Sequence, residues 1–69
     1  MDHHQALADL ERRLTAARIS VARVCRRADI HAVTVVRWKA GTPPKEETWA
    51  KFAAAAEALL AEAAKAEAA

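Results

Sequence analysis

The sequence predicts an all-α fold: a compact four-helix domain that ends in a long Ala-rich helix. Three observations predict it. The helix formers Ala, Leu, Arg, Glu and Lys dominate the chain. Apolar residues recur at spacings of three and four, and no alternating strand pattern of useful length appears. The single Gly and both Pro fall together in Gly41-Thr42-Pro43-Pro44, the one strong break in the chain. At 69 residues the chain is one domain, covering 1–69. A chain this short buries only roughly 60% of the surface its unfolded form exposes, which leaves room for one small core and none for a large catalytic cavity.

The first helix is expected from Asp2 to about Ala17. Asp2 stands as its cap with Gln5 three residues on in the capping-box position. Leu7, Leu10, Leu14 and Ala17 line one face. A short second helix fits Val21 to Ala28, capped by Ser20, with Val24, Cys25 and Ala28 facing inward. Asp29 follows where the chain must turn sharply, and Asp tolerates a left-handed backbone better than most residues. A third helix fits Ala32 to Ala40, with His31 as its cap and Gly41 closing it. Val35 and Trp38, three apart, point inward.

The last helix covers about residues 45–67 and starts between Pro43 and Glu47. A Pro suits a first helical turn, and Glu46 and Glu47 suit the positive end of the helix dipole. Trp49, Phe52, Ala53, Ala56, Leu59 and Leu60 form its apolar stripe. Twelve of the final twenty residues are Ala, so the tail is helical by propensity, weakly anchored by packing, and expected to fray towards Ala69.

The net charge of +2 hides an asymmetry. Residues 1–45 hold nine Lys/Arg against four Asp/Glu, or +5, and residues 46–69 hold two Lys/Arg against five Glu, or −3. Basic charge therefore gathers where a nucleic-acid surface would need it, although an ordinary solvated surface has the same count. With one cysteine no intrachain disulfide can form, and Cys25 reads as a core thiol. No apolar run approaches the roughly 18 residues of a membrane span and no signal-peptide pattern opens the chain, so a cytoplasmic, nucleoid-associated location is expected. His3 and His4 are adjacent, point to different helix faces and have no third ligand nearby, so neither a metal nor another cofactor is expected. No nucleophile–base pair with an orienting group and no phosphate-cradling Gly loop appears, so the chain does not read as an enzyme.

Two short helices joined by a tight turn, the second ending in Gly, describe a helix-turn-helix over residues 20–41. In register, Ile19 to Gly41 closely resembles the Cro/repressor type of DNA-binding helix-turn-helix, the lambda-repressor-like proteins. A cap precedes the second helix, and Val24-Cys25 stands where that family places Leu-Ala. Ile30 follows the turn, Thr34-Val35 occupies a Thr-Ile/Val slot, and Arg37-Trp38-Lys39-Ala40-Gly41 is similar to the closing Arg-aromatic-charged-any-Gly run. The Pro-containing link and Thr48-Trp49-Ala50-Lys51-Phe52 continue the match, which covers roughly residues 15 to 60. Asp29 stands where the family usually has Gly, and Val21 where a phosphate-touching Gln is common. The outward positions of the third helix, Ala32, Val33 and Val36, are all apolar.

The resemblance implies double-stranded DNA as partner, with the third helix in the major groove and the second across the backbone. Arg37 is then the best base reader, capable of a forked contact to guanine, or else a phosphate contact or a plain exposed arginine. Ala32, Val33 and Val36 are candidates for packing on thymine methyl groups, and Thr34 for a base edge, a phosphate or half-burial under the helix. Ser20, His31, Lys39, Thr42 and Lys45 are backbone-contact candidates. Arg23, Arg26 and Arg27 are candidates for sequence-blind phosphate attraction, or simply a solvated basic face. Trp38, Trp49 and Phe52 at helical spacing are core rather than base-stacking rings.

The expected function is a sequence-specific transcriptional regulator, a small phage- or plasmid-type repressor acting by promoter occlusion. One such module binds loosely, so a homodimer is expected, with Leu59, Leu60 and Ala63 as interface candidates or plain core. The alternative is a protein-binding module on a degenerate helix-turn-helix fold, antitoxin-like or anti-defence, using the apolar Val33/Val36 face.

Overall fold

The computed structural model describes residues 3–68, and four helices in chain order account for most of them: α1 (His3–Ala16), α2 (Val21–Ala28), α3 (Ala32–Lys39) and α4 (Glu46–Ala68). The all-α architecture predicted from composition and spacing is the one observed. No described helix is long and apolar enough to cross a membrane.

The three short joints are built alike. α1, α2 and α3 each end in a pair of backbone bonds that bring the chain back over its last turn. Arg18 and Ile19 donate N–H to the carbonyls of Thr15 and Leu14, at 3.0 and 2.9 Å. Asp29 and Ile30 donate to Arg26 and Cys25, at 3.3 and 3.0 Å. Gly41 and Thr42 donate to Trp38 and Arg37, at 3.1 and 3.0 Å. This is the Schellman arrangement, and its pivotal residue must take a positive φ. Arg18 has φ 61°, Asp29 φ 58° and Gly41 φ 113°. Asp29 and Gly41 turn the chain as their residue types predict. Arg18 does so without that preference, because the buried pair Leu14 and Ile19 closes over the joint.

Helix starts are mixed. Ser20 caps α2 as expected, its Oγ accepting the Arg23 N–H at 3.1 Å. His31 occupies the N-cap of α3 in extended backbone, but its side chain makes no capping bond, which corrects the cap expected of it. Asp2 lies outside the described residues. Its expected capping-box partner Gln5 directs its amide to Asp9 Oδ1 instead, at 3.2 Å and one helical turn on. Both prolines precede α4 rather than entering its first turn. Lys45 is the capping residue, its carbonyl accepting the Trp49 N–H at 2.8 Å, and Glu46 and Glu47 fill the first turn as expected.

α4 packs across α1 and α2, and α3 packs on α2. The core collects Leu7, Leu10 and Leu14 of α1, Ile19, Val24 and Cys25, Val35 and Trp38, and Phe52, Ala55, Ala56 and Leu59 of α4. Phe52 is 0% exposed and stands at its centre. Its ring meets Trp38 edge-on at 5.5 Å and lies 6.0 Å from Trp49, which in turn meets Trp38 at 5.7 Å and His3 at 5.3 Å. Such offset pairs add roughly 0.5–1.5 kcal/mol each beyond the area they bury. Trp38 and Phe52 are therefore core, and Trp49 is its half-buried edge. Ala55 joins the buried stripe on α4, and Ala53 lies at its margin.

Beyond Ala63 the described part of α4 is exposed. Three ion pairs join distant segments over the surface. Arg13 meets Glu57 at 2.6 Å, Lys39 meets Glu11 at 2.8 Å, and Arg27 meets Glu62 at 2.8 Å. Arg12 pairs locally with Asp9.

Candidate nucleic-acid interface

α3 is eight residues long, about 12 Å at 1.5 Å per residue. Val35 and Trp38 bury its underside, which fixes the roll of the helix on the core. At 100° per residue, Ala32, Val33 and Val36 then fall within about 100° of arc on the opposite side. All three are exposed, Val33 at 51% and Val36 at 61%, and among the described residues these two are the large hydrophobics left in solvent. Arg37 follows Val33 around the helix by about 40° and is also exposed. The outward face is thus apolar in the middle with one guanidinium on its margin. It carries no carboxylate.

Beside that margin runs a groove of about 300 Å³ between α3, the link and the start of α4. Thr34, Arg37, Thr42, Lys45 and Thr48 supply its polar wall. Thr34 is half-buried and belongs to this groove rather than to the outward face. Lys45 sits at the N-terminus of α4, where the helix dipole adds positive potential to its own charge. Glu46 and Glu47 follow it in the first turn and offset part of that potential, while Lys45 itself lines the groove with Arg37. Three hydroxyls and two cations on one wall are the groups that could contact a phosphate.

The remaining basic candidates divide by what they touch. Arg27 closes a forked contact on Glu62, Nη2 to Oε2 at 2.8 Å and Nη1 to Oε1 at 3.3 Å. That hydrogen bonding raises the Arg27 pKa and holds the Glu62 carboxyl below its ordinary range. Lys39 is engaged with Glu11 on the flank of α3 away from Arg37. Both therefore reach a phosphate only by giving up a carboxylate. Arg26, Arg37 and Lys45 form no ion pair among the described residues, and Arg23 bears on Glu62 at longer range. Ser20 spends one acceptor lone pair on its cap, while His31 and Thr42 stand exposed at the two ends of α3. From Ser20 to Lys45 there are six Lys/Arg and one acid, Asp29.

Of the expected dimer residues, Leu59 is 3% exposed and lies in the core of the monomer, so it has no surface to offer a partner. Leu60 and Ala63 are half-buried and line a shallow hollow with Arg13, Ala17 and Glu67. Cys25 is buried, and that burial pushes its thiol pKa up. Thr48 joins the groove without being among the expected contacts, and its signal in the sequence is a hydroxyl in the first turn after the Pro-containing link, near Lys45. Among the described residues no group of three His, Cys, Asp or Glu side chains is arranged to hold a metal ion. Compared with family models, with curated proteins and with solved structures, the chain matches none of them.

Proposed function

We propose that the chain is a sequence-specific DNA-binding transcriptional regulator, a small repressor of the phage or plasmid type that acts by covering promoter DNA. The observation that carries this reading is the pairing of an exposed, carboxylate-free α3 face with the cationic, hydroxyl-lined groove at its margin. A helix with its side chains is about 10–12 Å across, which a major groove about 12 Å wide admits, and the two turns of α3 give it a short reading face. With α3 in the groove, Arg37 reaches a guanine edge or the adjacent phosphate. Lys45, Thr42 and Thr48 grip the backbone beside it, and α2 presents Arg23 and Arg26 to the backbone.

One module of this size contacts limited DNA surface, roughly 600–1,000 Å². Useful affinity therefore calls for a homodimer on half-sites about one helical turn apart. Leu60 and Ala63, half-buried against the core, are the expected interface residues of α4 with area left to meet a second copy.

Selection from a random duplex pool near physiological salt, repeated with Arg37→Ala, tests the reading. A motif should emerge and relax at one position per half-site in the variant. Four available cations, Arg23, Arg26, Arg37 and Lys45, give log K against log[salt] a slope of about −3 to −4 per protomer. No enriched motif together with no salt-dependent binding would remove the DNA reading. The 51% and 61% exposure of Val33 and Val36 also suits a protein partner. A partner lost on Val33→Glu, with DNA binding absent, would put a protein-binding module in its place.

A further inference from the structure

Hydrogen-bonded base reading on this surface rests on few groups. Lys39, at the Ala32 margin, is paired with Glu11, Thr34 faces the groove toward α4, and the underside of α3 is locked by Val35 and Trp38. What remains outward is Ala32, Val33 and Val36, none of which has a side-chain donor or acceptor, with Arg37 at one edge. In a major groove, the apolar feature available to such side chains is the C5-methyl group of a pyrimidine. Charge argues for DNA as the occupant of this face, since Arg23, Arg26, Arg37 and Lys45 stand outside the ion pairs of the segment 20–45 against one acid, Asp29.

We propose that the Val33/Val36 face reads pyrimidine C5-methyl groups as such, so that 5-methylcytosine serves in place of thymine at the contacted positions. The inference rests on the DNA-binding reading above and sharpens it. Thymine presents O4 beside its methyl group, and 5-methylcytosine presents an N4 amino group in the corresponding place. A residue that hydrogen bonds would tell the two apart. Valine has no group with which to do so, and it responds to the methyl group the two bases share. Cytosine methylation at such a position therefore creates a binding site where the unmethylated sequence has a poorer one. Burying one methyl group is worth about a fourfold change in affinity.

The test uses the whole chain and the duplex that emerges from pool selection, at fixed salt. Each thymine of the motif is replaced in turn by uracil, and the same positions are filled by cytosine and by 5-methylcytosine opposite guanine. Each comparison keeps the base pair and changes only the methyl group. The expected result is a loss of about fourfold from thymine to uracil at the contacted positions. A gain of similar size is expected there from cytosine to 5-methylcytosine. Val33→Ala and Val36→Ala, both at exposed positions that the fold does not need, should shrink the two ratios together. Ratios of one at every position, with motif and salt dependence intact, overturn methyl reading and leave the DNA reading standing. A thymine–uracil effect without a cytosine–methylcytosine effect overturns the equivalence of the two bases. Absence of any salt-dependent DNA binding defeats both readings at once.

Discussion

Gly41→Ala isolates the cost of one backbone angle. Gly41 has φ 113°, outside the region L-residues ordinarily occupy, and a Cβ built there meets nothing within 4 Å. No clash contributes, so the penalty is conformational. A residue held in such a region costs on the order of 1–3 kcal/mol. Alanine also narrows the unfolded ensemble, which returns about 0.4–1 kcal/mol. The net loss is therefore roughly 1 kcal/mol, and in a domain of this size that lowers Tm by about 4–8 °C.

If the chain relaxes φ instead, it gives up the Gly41 and Thr42 bonds to Trp38 and Arg37 and shifts the link that places Lys45 beside Arg37. Arg18→Gly is the matched experiment at the end of α1. There an exposed arginine is held at φ 61° in the same arrangement, so glycine relieves about 1–2 kcal/mol of strain and loses about 0.4–1 kcal/mol to a wider unfolded ensemble, and Tm should rise by a few degrees at most. Thermal melts followed by circular dichroism at 222 nm measure both. A Gly41→Ala protein that melts at or above the wild type, or an Arg18→Gly protein that loses as much, would refute the assignment of strain to these two joints.

Phe52→Ala opens the centre of the ring cluster and should cost about 3–5 kcal/mol. The whole chain has roughly 3–10 kcal/mol to lose, so urea titration should find it marginal or unfolded, while Phe52→Leu stays folded. Because the Glu62 carboxyl is held below its ordinary range in the folded state, its contribution is present above the unfolded carboxylate value and fades as pH falls through the folded one. The stability difference between wild type and Glu62→Gln should accordingly vanish in acid, and a difference that persists there would assign it to something other than charge. Glu62→Gln also releases Arg27, so on the proposed DNA-binding function affinity for duplex should rise at low salt with a slope steeper by up to about 0.9, as a binding isotherm series would show. The Cys25 thiol, buried and with a raised pKa, should resist iodoacetamide in native buffer at pH 8 and react fully in denaturant. Rapid native labelling would take it out of the core.

Much of the architecture could be read from residues close in the chain. Capping and turning are local, so Ser20, Asp29 and Gly41 announce the bounds of α2 and α3, and the Pro pair announces the gap before α4. Spacing of three and four identifies Leu7, Leu10, Leu14, Val35, Trp38 and Phe52 as inward-facing, since a helix presents those positions to one side whatever lies opposite. The exposure of Val33 and Val36 follows from the same arithmetic. Arg18 escaped that reading because its positive φ is imposed by the packing of Leu14 and Ile19, not preferred by the residue.

Tertiary structure alone decided which cations are available and which apolar residues are spent. Arg27 and Glu62 are 35 residues apart, and only the packing of α4 across α2 brings them together. Lys39 and Glu11 meet only because α1 and α3 lie on one core, which sets a carboxylate against Lys39, while Arg37 and Lys45 are the cations that line the groove. Leu59 and Leu60 are neighbours in an Ala-rich stretch with the same propensity, yet the roll of α4 buries the first and leaves the second half-exposed. Local chemistry thus determined where the helices start and stop and which way α3 faces. The crossing and roll of α4 determined how much positive charge remains around that face.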